Sequence, residues 1–209
     1  MFWIGNTPVS NAYWVEEDGE LVVRALICDE TIFGRKIRLY REYRVSTKEN
    51  AFLINDTIEN TDEKILPFEI LYHMNMGYPL LDEDSIVEVP AESVIPRDEH
   101  SAEDLDNCLK MIRPEHGYKE RCYYHKFVDA NGKASIYQPK LGVGLEITFN
   151  TDELDAFVEW KMIGIRDYAL GLECGNCYPD GRDVMRKTGM LKFLQAGEKK
   201  TYQVKIRMI

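Results

Sequence analysis

The chain has no run of about 18 apolar residues, the length a membrane-crossing helix needs, and Met1 to Asn11 shows no basic segment leading into an apolar one. Neither membrane insertion nor secretion is supported. Positive charge is scarce: 26 lysines and arginines stand against 36 aspartates and glutamates, a net charge of −10 with a pI near 5.0. Proteins bind nucleic acid mostly by neutralising phosphates with such cations, so no nucleic-acid partner is expected, and a neutral small molecule suits the charge better. Cysteine occurs only as Cys28, Cys108, Cys122, Cys174 and Cys177. An odd number, in a chain large enough to fold without staples, reads as reduced thiols in the cytoplasm. Cys174-x-x-Cys177 has no second cysteine pair or close histidine pair to complete a zinc site, and no βαβ context for redox chemistry, so neither metal nor cofactor is expected. There is no Gly-x-Ser-x-Gly elbow, phosphate-binding loop or dinucleotide fingerprint, which argues against hydrolases, kinases and dehydrogenases of those kinds.

Hydrophobic residues make up 44% of the 209, enough for one sizeable core, and a single domain over residues 1–209 is expected. Their pattern is alternation over short runs, the period that puts successive side chains on opposite faces of a sheet. Ile37–Val45, Val143–Phe149 and Tyr202–Met208 are the clearest cases. Leu21–Cys28, Phe52–Glu59, Leu66–His73, Ser85–Val89, Arg121–Phe127, Ala134–Gln138, Phe157–Met162 and Tyr168–Glu173 follow them. Turn residues separate the runs, with Glu17-Asp18-Gly19 one example and Asn131-Gly132 the strongest hairpin signal. Only Ala102–Met111 looks helical, capped by Ser101 or Asp98, and Pro90–Tyr118 reads as a long excursion over the sheet. Many short strands with frequent turns predict an all-β sandwich or barrel.

Two segments carry chemistry. In Leu71–Pro79 a histidine, an amide and aromatic rings cluster where a strand gives way to a Gly/Pro loop. His73 can exchange a proton near neutral pH, and Asn75 offers a donor and an acceptor to sugar hydroxyls. In Tyr168–Cys177, if Leu170 and Leu172 face the core, Ala169, Gly171 and Glu173 share the other face. That sets a carboxylate beside two small residues, where a ligand has room and partial burial raises the carboxyl toward a useful range for a general base.

Leu71–Leu81 (LYHMNMGYPLL), Glu159–Gly164 (EWKMIG), Gly171–Arg182 (GLECGNCYPDGR) and a terminal strand after Gly197 resemble, in that order, the aldose 1-epimerase relatives of the galactose mutarotase-like superfamily. They are most similar to a bacterial branch known only as a domain of unknown function. The resemblance runs from about Gly5 onward and implies a large twisted antiparallel β-sandwich, or supersandwich, with a sugar site on a concave sheet face. It also implies that His73 protonates the ring oxygen and Glu173 takes the proton from the anomeric hydroxyl. Tyr72, Asn75, Trp160, Lys161, Asn176 and Arg182 are then the expected substrate-binding residues, with Lys161, Arg166 or Arg182 available to an anionic substituent. Relatives carry an earlier His-Gly-rich segment with a second sugar-binding histidine, whereas this chain begins Met1-Phe2-Trp3. The sandwich is therefore expected to be incomplete at its N-terminus, and a homo-oligomer would cover the exposed edge. The expected function is interconversion of sugar anomers by acid/base ring opening; the alternative is a non-catalytic carbohydrate-binding or regulatory protein with a degenerate site.

Overall fold

The computed structural model describes residues 7–209, and the chain divides into two compact units. In chain order the elements begin with β1 (Val9–Glu17), β2 (Glu20–Glu30), β3 (Lys36–Val45), β4 (Ala51–Asn60), β5 (Leu66–Phe68), β6 (Asn75–Met76), β7 (Ile86–Glu88) and β8 (Ser93–Pro96). After helix α1 (Glu99–Ala102) come β9 (Arg121–Lys126), β10 (Asn131–Gln138), β11 (Val143–Asn150), β12 (Ala156–Ile163) and β13 (Tyr168–Gly175). Helix α2 (Arg182–Lys187), β14 (Lys192–Leu194) and β15 (Lys199–Met208) complete the chain.

The first unit comprises residues up to Glu69 together with Pro179–Ile206. Its main sheet runs in the order β1-β2-β3-β4-β15, and β14 pairs with β5. The β1–β2 turn works as its residues dictate, since Asp18 and Gly19 both take positive φ, 53° and 76°, the geometry that matches the twist of a two-residue hairpin. The register then sorts side chains by face. Arg24 lies opposite Glu42 and Glu42 opposite Asn55, forming a polar row in which Arg24 also grips Glu17 through two bonds of 2.7 Å. Buried Ile54 and Ile58 alternate with that row and face the other way, together with Asp56, which accepts a two-pronged contact from Arg41 at 2.8 and 2.6 Å.

The second unit comprises Ile70–Tyr178 with Arg207–Ile209. It holds one sheet in the order β6-β13-β12-β9-β8 and another in the order β11-β10-β7. Aromatic rings join the two: Phe149 of β11 stacks on Phe157 of β12 with centroids 5.5 Å apart, and Phe127 meets both edge-on at 5.6 Å. This is a small sandwich within the unit.

Several sequence expectations need correction. Asn131-Gly132 forms no turn; both residues lie in β10, paired with Asn150 and Phe149. Glycine is needed there for space, because a Cβ on Gly132 would sit 2.4 Å from the Phe149 ring. The helix expected at Ala102–Met111 begins earlier and is shorter, because Oδ1 of Asp98 caps the Ser101 N–H at 2.8 Å and the chain then tightens into a 3-10 turn at Leu105–Asn107. Leu66–His73 is a strand only as far as Phe68. Strands β1, β8 and β14 and helix α2 escaped the alternation rule, being edge, short or polar segments. Among the described residues no helix is long and apolar enough to cross a membrane, and all five cysteines are free.

A candidate active site on one face of the second unit

The segment Ile70–Met76 runs antiparallel to β13 and is laced to it at every step. Asn176 accepts from the Ile70 N–H at 2.8 Å, Leu71 bridges Gly175, the Tyr72 N–H donates to the Cys174 carbonyl at 2.9 Å, and the Leu172 N–H donates to the Met74 carbonyl at 3.0 Å. Asn75 then lies opposite Gly171 and Met76 opposite Leu170. This register leaves His73 directly across from Glu173, and directly opposed residues share a face. Nδ1 of His73 is 3.1 Å from Oε1 of Glu173.

The two side chains differ in their surroundings. Glu173 is buried, with 2% of its side chain accessible, while His73 keeps 39%. Burial pushes the Glu173 carboxyl up to about 8, because the charged form has lost its water. Among the described residues no donor completes a hydrogen bond to Oε1 of Glu173, the His73 contact being an ion-pair distance only. A buried oxygen left open in this way is poised to accept from a ligand.

Gly171 makes this geometry possible. A Cβ built there would stand 2.3 Å from Oε1 of Glu173 and 3.2 Å from Cβ of Trp160, so the carboxylate occupies the space a side chain would have filled. Trp160 pairs with Gly171 and Val158 with Glu173, which brings the Trp160 indole onto the same face. Its ring lies 5.9 Å from that of His73, tilted by 58°. His73, Asn75, Trp160 and Glu173 are thus brought together, and Ala169 and Gly171 keep the floor low.

The remaining candidates lie elsewhere. Tyr72 is buried in the core, and Asn176 is a fully buried clamp on Ile70. Lys161 was expected to meet substrate, but it pairs with Leu170 and Arg121, on the opposite face of the sheet from Trp160 and Glu173. There Nζ donates to the carbonyls of Asn107, Cys108 and Lys110 at 3.2, 2.9 and 2.7 Å, and desolvation holds its pKa below the usual lysine value. Its role is to anchor the loop after α1. Arg182, on α2 of the first unit, is paired with Glu69 at 3.0 Å. Cys174 and Cys177 are buried, and burial raises the Cys174 thiol, so the Cys-x-x-Cys spacing makes no reactive pair.

Two features were not foreseen. His125 and Glu159 form a fully buried pair at 2.9 Å on the Lys161 face. Parity in β12 is the signal that reveals this, since Glu159 and Lys161 alternate in step with the apolar Phe157 and Ile163. The second feature is Glu120, whose Oε2 accepts from the Trp160 indole at 2.8 Å. No local pattern announces it.

No curated protein matches the chain by sequence. Among solved structures it resembles a "putative aldose 1-epimerase" from Klebsiella pneumoniae, with a TM-score of 0.90 and 22% identity over 99% of this chain. The chain spans 56% of that protein's length. Galactose mutarotase-like proteins from Clostridium acetobutylicum (TM-score 0.70, 15% identity, 95% of this chain and 66% of that one) and Lactobacillus casei (0.63, 16%, 95% and 73%) share the architecture. These likenesses establish a galactose mutarotase-like fold. Residues 4–208 match the profile of a domain of unknown function, DUF4432, and the chain belongs to that family.

Proposed function

We propose that this protein binds a cyclic aldose and interconverts its anomers, with Glu173 as base and His73 as acid. The observation that carries the reading is the contact of His73 Nδ1 with Glu173 Oε1 at 3.1 Å, on a face cleared by Gly171. Ring opening transfers the anomeric hydroxyl proton to the Glu173 carboxylate while His73 delivers a proton to the ring oxygen. The bond from the anomeric carbon to the ring oxygen breaks as the carbonyl forms. Rotation about the C1–C2 bond and reclosure, with the proton roles reversed, give the other anomer. Both reacting oxygens are bonded to the same carbon, so an acid and a base in mutual contact can reach the two together. A carboxyl near 8 is well suited to giving and taking a proton close to neutrality.

An uncharged sugar fits best. Lys161 and Arg182, two of the three cations expected to meet an anionic substituent, are committed to loop carbonyls and to Glu69. Asn75 is exposed opposite Gly171, where it offers a donor and an acceptor to ring hydroxyls, and Trp160 offers an aromatic surface. Five free cysteines are in keeping with work in the cytoplasm.

The test is anomer exchange of D-glucose and D-galactose followed by NMR. Glu173→Gln and His73→Ala are each expected to slow exchange by roughly a hundredfold or more. An unchanged rate in both variants overturns the mechanism. Sugar binding without turnover in the wild type favours the non-catalytic carbohydrate-binding reading.

A further inference from the structure

The excursion between β8 and β9 returns to the sheet through one continuous set of bonds. The Arg97 N–H donates to the Cys122 carbonyl at 3.0 Å, and Ser101 Oγ accepts from the Cys122 N–H at 3.0 Å. Arg97 then reaches in two directions, with Nε donating to Asp98 at 2.9 Å and Nη2 to Glu120 Oε1 at 3.0 Å. The second oxygen of Glu120 accepts from Trp160 Nε1 at 2.8 Å. Trp160 is the cross-strand partner of Cys122, so the bonds that close the excursion end on the indole beside His73.

We infer that Glu120, held by Arg97, is a positioning residue that turns Trp160 into a stacking wall selective for pyranoses with a continuous C–H face. This rests on the proposal that the site takes a cyclic aldose. An indole has one donor, and here that donor is already engaged; the ring has only its surface left to offer. C–H groups of a sugar ring pack against such a surface, whereas an axial hydroxyl on the stacked side would be stripped of water with nothing to bond. The excursion therefore acts on specificity without touching substrate.

The experiment uses the full chain and reads the indole separately from the sugar. Of the three tryptophan Nε1–H signals in a proton–nitrogen NMR spectrum, Trp160→Phe identifies the one that matters. Glu120→Leu is expected to shift that signal and to weaken binding of D-glucose and D-galactose by roughly fivefold, a modest change because Glu120 is partly exposed. Glu120→Gln keeps an acceptor oxygen and should restore both readouts. An indole signal unmoved in Glu120→Leu overturns the proposal, as does a moved signal with unchanged affinity for both sugars. A wild type that binds sugar without turnover defeats only the anomer-exchange reading; one that binds neither sugar defeats the stacking wall as well.

Discussion

His73 and Glu173 face each other across an antiparallel pairing, and the Glu173 side chain bends over Gly171 to put its Oε1 3.1 Å from the imidazole. The contact is set by register. Leu71 bridges Gly175 and Asn75 pairs with Gly171, so a slip of one residue would turn His73 to the other face of the sheet.

The first prediction concerns rate against pH. With its carboxyl raised to about 8, Glu173 is largely protonated at neutrality and gains its charge as pH rises. Anomer exchange should therefore show an ascending limb with a midpoint near 8, absent from the residual activity of Glu173→Gln. A profile flat from neutrality upward would show that Glu173 is not the base.

Stability should move the opposite way. Below its ordinary value of 4.5 the Glu173 carboxyl is protonated in both folded and unfolded chains and contributes no difference. Between 4.5 and about 8 the folded protein keeps a proton the unfolded chain has lost, so this group makes stability fall as pH rises, and its effect levels off above 8. Glu173→Gln removes the effect. The variant should gain on the wild type by up to about 5 kcal/mol across that window, measured by urea unfolding at a series of pH values.

Gly171→Ala tests the space beside the carboxylate. The new Cβ would meet Glu173 Oε1, the far end of a flexible side chain, which can swing aside. The fold should survive with a loss of about 1 kcal/mol. Anomer exchange should fall by roughly tenfold to a hundredfold, because displacement of a catalytic group by about 1 Å is costly. Unaltered exchange would mean that the position of the carboxylate does not matter.

Lys161→Met should separate anchoring from chemistry. The variant leaves three carbonyls without their ammonium donor, and a loss of about 2–4 kcal/mol is expected. Hydrogen exchange should quicken around Asn107–Lys110, with sugar affinity at the Trp160 face changed less than about twofold. A large loss of affinity without faster exchange would return Lys161 to the substrate site.

Much of this was legible locally. Alternation located most strands, and the Asp18-Gly19 turn behaved as its residues require. The parity of Ala169, Gly171 and Glu173 against Leu170 and Leu172 placed the carboxylate on a face with small neighbours, as the pairing with β12 bears out. Charge was less informative. Lys161 reads as a substrate-facing cation until its partners are known, because carbonyls from a distant loop must first be brought over it. Asn131-Gly132 reads as a turn because short-range rules cannot register a phenylalanine ring arriving from the neighbouring strand.

The sequence alone thus determined the β architecture and the parity of the strands its alternation located, and it singled out a histidine and a carboxylate able to exchange protons, since these follow from side-chain chemistry and a period of two. Tertiary structure alone decided that His73 lies opposite Glu173, that the carboxyl is dry enough to hold its proton to about 8, and that Glu120 reaches Trp160. Register, burial and long-range hydrogen bonds arise from segments far apart in the chain, and no local pattern encodes them.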